Sequence, residues 1–367
     1  MSQQDEFDPD TSVKHRKELL GAVDFSLWEK RLTRFLGTQP GVKGNVVITD
    51  MRVPTAGGSS GTLLFSAEFD ADGGRRKREL VLRYATEGGL FHAYNLPGQY
   101  VILKGLQGSG VPVPGIAGID ADGSTLGVIG YLMERVEGET PPPSYHKVGP
   151  MIEATPENRR KMIFASIAGQ GKVHALDWKK LGIEFLTRRG NGNTTLERDL
   201  DWHWTSLSWG CPNEAAALEP MRKWLLQNQP KEDYICLCHG DSMLPNYMFK
   251  DNRLTAVLDW ELAFLGNPAN DVAYQAFTHA FLGLGYPPLE GCPSIEERKD
   301  EYERVRGRKL AHWDYFYTVA AFKVYMSMML VFRAVPPEME MVKRGSLEFI
   351  WQSVLDSQKK CNHQERN

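Results

Sequence analysis

The chain has 367 residues, is 42% hydrophobic and 24% charged, and carries a formal net charge of −3. That composition belongs to a soluble globular chain with enough length for two lobes and a sizeable core. The charge gives no global bias toward polyanions, which sets nucleic acid aside as a partner, and there is no apolar run of bilayer-spanning length, which sets a membrane aside.

Residues 1–22 read as a flexible leader, because Met1 to Thr11 is polar and acidic and lacks the apolar core of a signal peptide. Next, Leu27, Trp28, Leu32 and Phe35 recur at helical spacing and predict an amphipathic helix over 25–35. Residues 46–53 and 63–69 read as strands. Between them lies a turn that includes Gly57, Gly58, Ser59, Ser60, Gly61 and Thr62. Its glycines let backbone amides approach phosphate oxygens and its hydroxyls add donors, although an ordinary hairpin turn has the same make-up. A third strand over 79–84 carries Arg83. A helix over 96–106 follows, with Pro97 in its first turn. Val111-Pro112-Val113-Pro114 leads into another strand, and a strand over 127–134 runs into Met133-Glu134-Arg135-Val136. Pro141 to Pro143 marks a connection, so the expected lobes are 23–137 and 138–367.

The second part reads as mainly helical, with helices over 159–178, 196–209, 219–227, 296–307, 315–332 and 346–358. His174, near the end of the first of these, reads as a packed histidine. Trp202, Trp204 and Trp209 read as core more than as a substrate wall. Five scattered cysteines, an odd number, fit reduced thiols in the cytosol better than a disulfide framework. Cys236 and Cys238 lack a second ligand pair at zinc spacing and read as buried thiols on one strand face.

The chemistry concentrates in one run. Cys238-His239-Gly240-Asp241 is followed by Asn246, and Ala256-Val257-Leu258-Asp259-Trp260-Glu261 comes shortly after. Tyr247-Met248-Phe249 and residues 254–258 flank a Lys250-Asp251-Asn252-Arg253 turn, which predicts a hairpin bringing Asp241, Asn246 and Asp259 to one end. A loop aspartate can take the proton of an attacking hydroxyl. An asparagine oxygen and a second carboxylate can hold Mg²⁺ against nucleotide phosphates. Turn chemistry alone also favours Asp and Asn, but it does not call for this whole arrangement.

His239-Gly240-Asp241 through Asn246, with Leu258-Asp259-Trp260-Glu261 at hairpin distance, resembles the aminoglycoside phosphotransferase family, kinases related to choline kinases. The resemblance covers roughly 46–333. It implies an α+β, two-lobed protein-kinase-like fold with ATP and Mg²⁺ as cofactors. Asp241 would be the base, and Asn246 and Asp259 the metal ligands. Arg83 and the turn of Gly57, Gly58, Ser59, Ser60 and Thr62 would hold phosphates, and backbone at Met133, Glu134 and Val136 would meet adenine. Gln99 stands where the family pairs a glutamate with the strand cation, and Gly61 stands where it commonly has an asparagine. Asp271 would be structural, Glu261 would bond the catalytic loop in preference to serving as a second metal-site or substrate acid, and His239 would orient the loop rather than act as base. The Leu-Asp-Trp-Glu form, the strand arginine and the Val-Pro-Val-Pro run look most like the branch joined to acyl-CoA dehydrogenases. The implied substrate is therefore the hydroxyl of a 4-hydroxyacyl-CoA thioester. An aminoglycoside or other small alcohol, and a non-catalytic nucleotide-binding role, are the alternatives. The basic stretches 159–161, 179–180 and 188–189 could meet CoA phosphates or be solvated faces.

Overall fold

The computed structural model describes residues 23–54, 61–86, 89–333 and 335–364. The expected leader and the Gly57, Gly58, Ser59 and Ser60 positions lie outside them. Helix α1 (Phe25–Gly37) starts where Asp24 caps the Leu27 amide, and it buries Trp28, Leu32, Phe35 and Leu36. Strands β1 (Lys43–Arg52), β2 (Gly61–Ala71) and β3 (Gly74–Tyr84) follow, then helix α2 (Leu96–Leu106) and strands β4 (Ile116–Asp120) and β5 (Gly130–Glu134). The five strands form one antiparallel sheet in the order β1-β2-β3-β5-β4. Its register matters for the site: Thr62 pairs with Arg83, and Arg83 pairs with Tyr131. α1 and one sheet face make a small core, while Leu96, Ile102, Leu103 and Leu106 of α2 join the large core of the second lobe.

The larger region is helical. It contains α3 (Pro156–His174), α4 (Thr195–Gly210), α5 (Pro212–Gln227), α6 (Pro268–Leu282), α7 (Ile295–Arg306), α8 (Trp313–Phe332) and α9 (Glu340–Gln364). α4 and α7 each begin in a capping box, Thr194 with Glu197 and Ser294 with Glu297. Both α5 and α9 exceed their expected lengths. α5 starts at Pro212, a residue suited to a first turn, ahead of the apolar pattern that marks its body. α8 is long and apolar enough to cross a bilayer, but most of it is buried, packed against α6 and α9.

Between α5 and α6 lie β6 (Cys236–Cys238), β7 (Tyr247–Lys250), β8 (Arg253–Val257) and β9 (Phe264–Gly266). β7 and β8 form the expected hairpin, and its turn residues Asp251 and Asn252 both have positive φ, at 50° and 60°. Asp and Asn tolerate that left-handed geometry, which matches the twist of the flanking strands. β6 pairs with β9 alongside it. The first lobe and the connection after it are both stitched to this hairpin. Glu139 and Phe249 exchange both backbone hydrogen bonds at 2.8 Å, and the Val257 amide donates to the Pro112 carbonyl at 2.8 Å. The Val-Pro-Val-Pro run is thus a docking strap for β8 as well as the entry to β4.

Candidate active site

The loop between β6 and β7 is held from below by Asp271 in the first turn of α6. Its carboxylate accepts the backbone amides of His239 at 3.0 Å and Gly240 at 2.9 Å, and His174 of α3 approaches it at 3.0 Å. Burial opposes the charged form of both side chains. Their mutual contact outweighs it, holding the Asp271 carboxyl below its usual range and raising His174 above its own. His174 is fully buried and reaches Tyr302 with its other ring nitrogen at 2.7 Å, so it is the packed histidine the sequence suggested. Cys236 and Cys238 lie close enough to His174 to form a three-ligand group, but both ring nitrogens already have partners.

Gly240 has a structural reason. Its φ is +82°, and a Cβ there would sit 1.9 Å from the Leu262 carbonyl oxygen. Only glycine lets the loop pass that close to the following segment. His239 then fixes the loop laterally. Its Nε2 contacts the Leu258 carbonyl at 2.7 Å and its Nδ1 accepts the Asp241 amide at 3.2 Å. A carbonyl can only accept and an amide can only donate, so the ring carries its proton on Nε2 and orients the loop.

Asp241 is thereby presented at the hairpin end. The Asn246 amide nitrogen donates to its carboxylate and to its backbone carbonyl, both at 2.8 Å. That contact leaves the asparagine oxygen as the atom free to face a cation. The Leu258 amide donates to the Asn246 carbonyl at 2.8 Å, which brings Asp259 alongside. Asp259 itself has φ 61° and ψ 67°, a left-handed conformation unusual for a residue with a side chain. Asn246 and Asp259 thus offer hard oxygen donors, the set that suits Mg²⁺. Burial pushes the Asp241 carboxyl up, and the Asp259 charge adds to that, while Asn246 and the Tyr274 phenol oppose it.

Arg83 crosses from β3 to this cluster. Its Nη2 lies 3.0 Å from Asp259 Oδ1 and 3.5 Å from Glu261 Oε2. The expected partner Gln99 does not reach it. Gln99 is 3% exposed and accepts a hydrogen bond from Tyr131 at 3.2 Å. A neutral amide cannot compete with two carboxylates for a guanidinium, so the cation is paired across the lobes instead. Glu261 is the second carboxylate that Arg83 reaches.

Thr62 sits beside Arg83 on the sheet. Gly61 pairs with Tyr84, and a Cβ on it would lie 2.3 Å from the Tyr84 ring. An asparagine at that position would have to displace the Tyr84 ring. In the connection between lobes, Met133 lies between Val81 and Ile116. The Glu134 amide donates to Gly115 at 2.7 Å and its side chain pairs with Arg78, so Glu134 has only its carbonyl to offer. Val136 follows Arg135, whose amide is bound by Glu79 at 2.9 Å.

Some site features were not visible in sequence. Tyr274 lies three residues after Asp271, one helical turn along, which was the available signal. Two arginines expected on solvated faces are internal. Arg159 donates to four backbone carbonyls, of Met151, Ile152, Ala154 and Glu290, and Arg189 is buried against Trp202. Trp202 is buried, whereas Trp209 is exposed.

Comparison with known proteins settles the family. The sequence profile of the phosphotransferase enzyme family matches residues 69–304, more than half of the chain. The chain belongs to that family. Similar curated proteins include mouse acyl-CoA dehydrogenase family member 10, 28% identical over 263 residues, which cover 67% of this chain and 24% of that one. Human acyl-CoA dehydrogenase family member 11 is 28% identical over 257 residues, 66% of this chain and 32% of that one. This phosphotransferase therefore spans a third or less of those relatives' length. Among solved structures, a Ralstonia eutropha protein assigned as an aminoglycoside phosphotransferase has a TM-score of 0.64 at 20% identity, covering 89% of this chain and 98% of that one. Plasmodium vivax ethanolamine kinase has a TM-score of 0.51 at 12% identity, covering 84% and 81%. The two-lobed fold of this phosphotransferase-family chain is thus the kinase-like one.

Proposed function

We propose that the protein transfers the γ-phosphoryl group of ATP to a hydroxyl of a small molecule, with Mg²⁺ held by Asn246 and Asp259. The observation that carries this reading is the Asn246-oriented Asp241 carboxyl set beside Asp259 at the hairpin end. When bound, Mg²⁺ would supply neutralisation of the phosphate charge. The remaining roles belong to the chain. Asp241 accepts the hydroxyl proton, and its upward-shifted carboxyl is a better base than an ordinary aspartate. Arg83 turns from Asp259 toward the phosphates, with Thr62 beside it on the sheet. Carbonyl and amide groups at Glu134 and Val136 meet the adenine.

For the acceptor we propose a hydroxyacyl compound, with the CoA thioester of a 4-hydroxy acid preferred. Support comes from the similarity to members of the acyl-CoA dehydrogenase family. A cytosolic location is part of the proposal, and five cysteines outside any disulfide support it. The test is ATP turnover with Mg²⁺ against hydroxyacyl-CoAs, aminoglycosides and simple alcohols, with Asp241→Ala as control. Turnover of one acceptor class that the substitution abolishes is the expected result. Equal turnover by the variant would remove Asp241 from its role, and saturable ATP binding without transfer to any acceptor would leave a nucleotide-binding protein.

A further inference from the structure

Behind the Arg83 cluster lies a separate cavity of about 290 Å³, between α2, the 184–189 turn, α4 and the Trp260–Glu261 segment. One wall is apolar: Ile102, Phe185, Leu186, Trp202 and Trp260. The other presents nitrogen donors. Gln99 is 3% exposed, lines the cavity, and its Nε2 has no partner among the described residues. The Arg189 side chain is 8% exposed, and its Nη2 is likewise without a partner. Arg188, exposed, lies at the rim.

The charge balance around Arg189 is uneven. Its Nη1 binds Asp199 at 3.0 Å, but Lys323 binds the same carboxylate at 2.8 Å. Two buried cations thus share one buried anion. The Trp202 face under Arg189 and the Phe264 ring under Lys323 compensate in part, yet neither gives Nη2 an acceptor. His92 on the cavity wall feels this field: burial and Arg189 both hold its ring below the usual range. Glu261 is the one carboxylate on the wall, and it faces Arg83. A desolvated guanidinium with a free donor, a free amide donor and an apolar wall opposite call for an amphiphilic anion.

We propose that this cavity binds a small carboxylate, its oxygens accepting from Gln99 Nε2 and Arg189 Nη2 and its carbon chain lying against Phe185, Trp202 and Trp260. The site does not depend on the identity of the phosphoryl acceptor. It shares Glu261 with the Arg83 cluster, and Gln99 with Tyr131, so its occupant abuts the phosphate-side machinery. Cationic ligands are excluded by the same charge.

The test compares hexanoate, 1-hexanol and hexylamine on the full chain, by calorimetric titration and by thermal shift against matched sodium chloride. Hexanoate should bind saturably and the alcohol and amine should not. Gln99→Leu removes one donor at constant shape, and Arg188→Glu reverses the rim charge on an exposed side chain. Gln99→Leu should weaken hexanoate by about tenfold, the loss expected for one charge-assisted hydrogen bond, and Arg188→Glu by about twofold to fivefold, as for an exposed charge. Binding of 1-hexanol as tight as hexanoate, hexanoate acting no differently from sodium chloride, or unchanged hexanoate affinity in both variants would each overturn the assignment. Because binding is read without turnover, failure here is separable from failure of the phosphotransfer reading.

Discussion

Arg83 on the sheet of the first lobe donates to Asp259 of the second at 3.0 Å, so the residue expected on phosphate is bound to the residue expected on metal. The pair is a latch between lobes. Its side chains are 11% and 23% exposed, and Glu261 at 3.5 Å leaves one cation between two acids. Arg83→Gln strands both carboxylates and should cost about 1–3 kcal/mol of stability, seen in chemical denaturation. With its competitor gone, Mg²⁺ should bind the nucleotide-free variant more tightly than the native protein. Turnover should nonetheless fall by about a hundredfold to a thousandfold, as for loss of one oriented donor to transferring charge. Calorimetry with MgCl₂ decides: equal Mg²⁺ affinity in both proteins would mean the latch does not guard the metal position.

Asp241 carries a pH signature. Burial, aided by the charge of Asp259, raises its folded pKa above the ordinary value of about 3.9. As a base it is active only when ionised, so kcat should decline with falling pH through a limb lying above that value. Asn246 opposes the rise, and Asn246→Ala should move the limb further toward neutrality while lowering kcat. The stability contribution has the opposite slope. The folded state holds this proton more tightly than the unfolded chain, so stability falls as pH rises from the ordinary carboxylate range through the raised folded value. Asp241→Asn should abolish that descent and reduce kcat by about a hundredfold to ten-thousandfold. Matched pH-rate and pH-melting profiles check both.

The hairpin, its turn and the convergence of Asp241, Asn246 and Asp259 were legible because they depend on local chain geometry. The two-residue Asp251-Asn252 turn sets the register, and register sets which side chains share an end. The helix over 96–106 was legible to the residue, with Pro97 suited to its first turn, whereas its cap, Asn95 on the Gly98 amide, was not read as a start signal. Arg83 was assigned by its strand, but its partner lay 176 positions away, and no local pattern encodes which of three acids or amides a long side chain reaches. Arg189 reads as a solvated-face cation in sequence. It is internal because Asp199 of α4 offers a carboxylate both to it and to Lys323 of α8.

Asp271 is the anchor most exposed to a single change. It accepts two loop amides and His174 with full burial, and Asp271→Asn replaces an acceptor-only group with one that presents an amine to a donor. Loss of about 3–5 kcal/mol is expected for a broken buried pair, with catalytic turnover falling as the loop loosens. The pH dependence has two limbs. Asp271 has a lowered folded pKa, so its contribution holds above the ordinary carboxylate value and is lost as pH falls through the lowered one. His174 has a raised folded pKa, so its contribution is complete below about pH 6.5 and fades as pH rises through the raised value. The pair stabilises most between these limits. His174→Gln should erase the alkaline limb of the melting profile; if the limb persists, it originates elsewhere.

Gly61 offers a test of why this chain departs from its family at the phosphate turn. The Tyr84 ring occupies the place of any Cβ on Gly61, and Trp28 packs on that ring with centroids 4.5 Å apart. Gly61→Asn must therefore displace Tyr84 from its partner and should cost about 1–3 kcal/mol, the penalty of overpacking. Tyr84→Ala alone loses aromatic contact, but it opens the space an asparagine needs. The double variant should recover stability relative to the sum of the single losses, with a coupling of about 0.5–3 kcal/mol in a double-mutant cycle. ATP affinity should follow the same cycle, since β2 carries Thr62 opposite Arg83 and a shifted Tyr84 disturbs both strands. Strict additivity of the two substitutions would show that the ring does not exclude the side chain, and that glycine is held there for its backbone approach to phosphate instead.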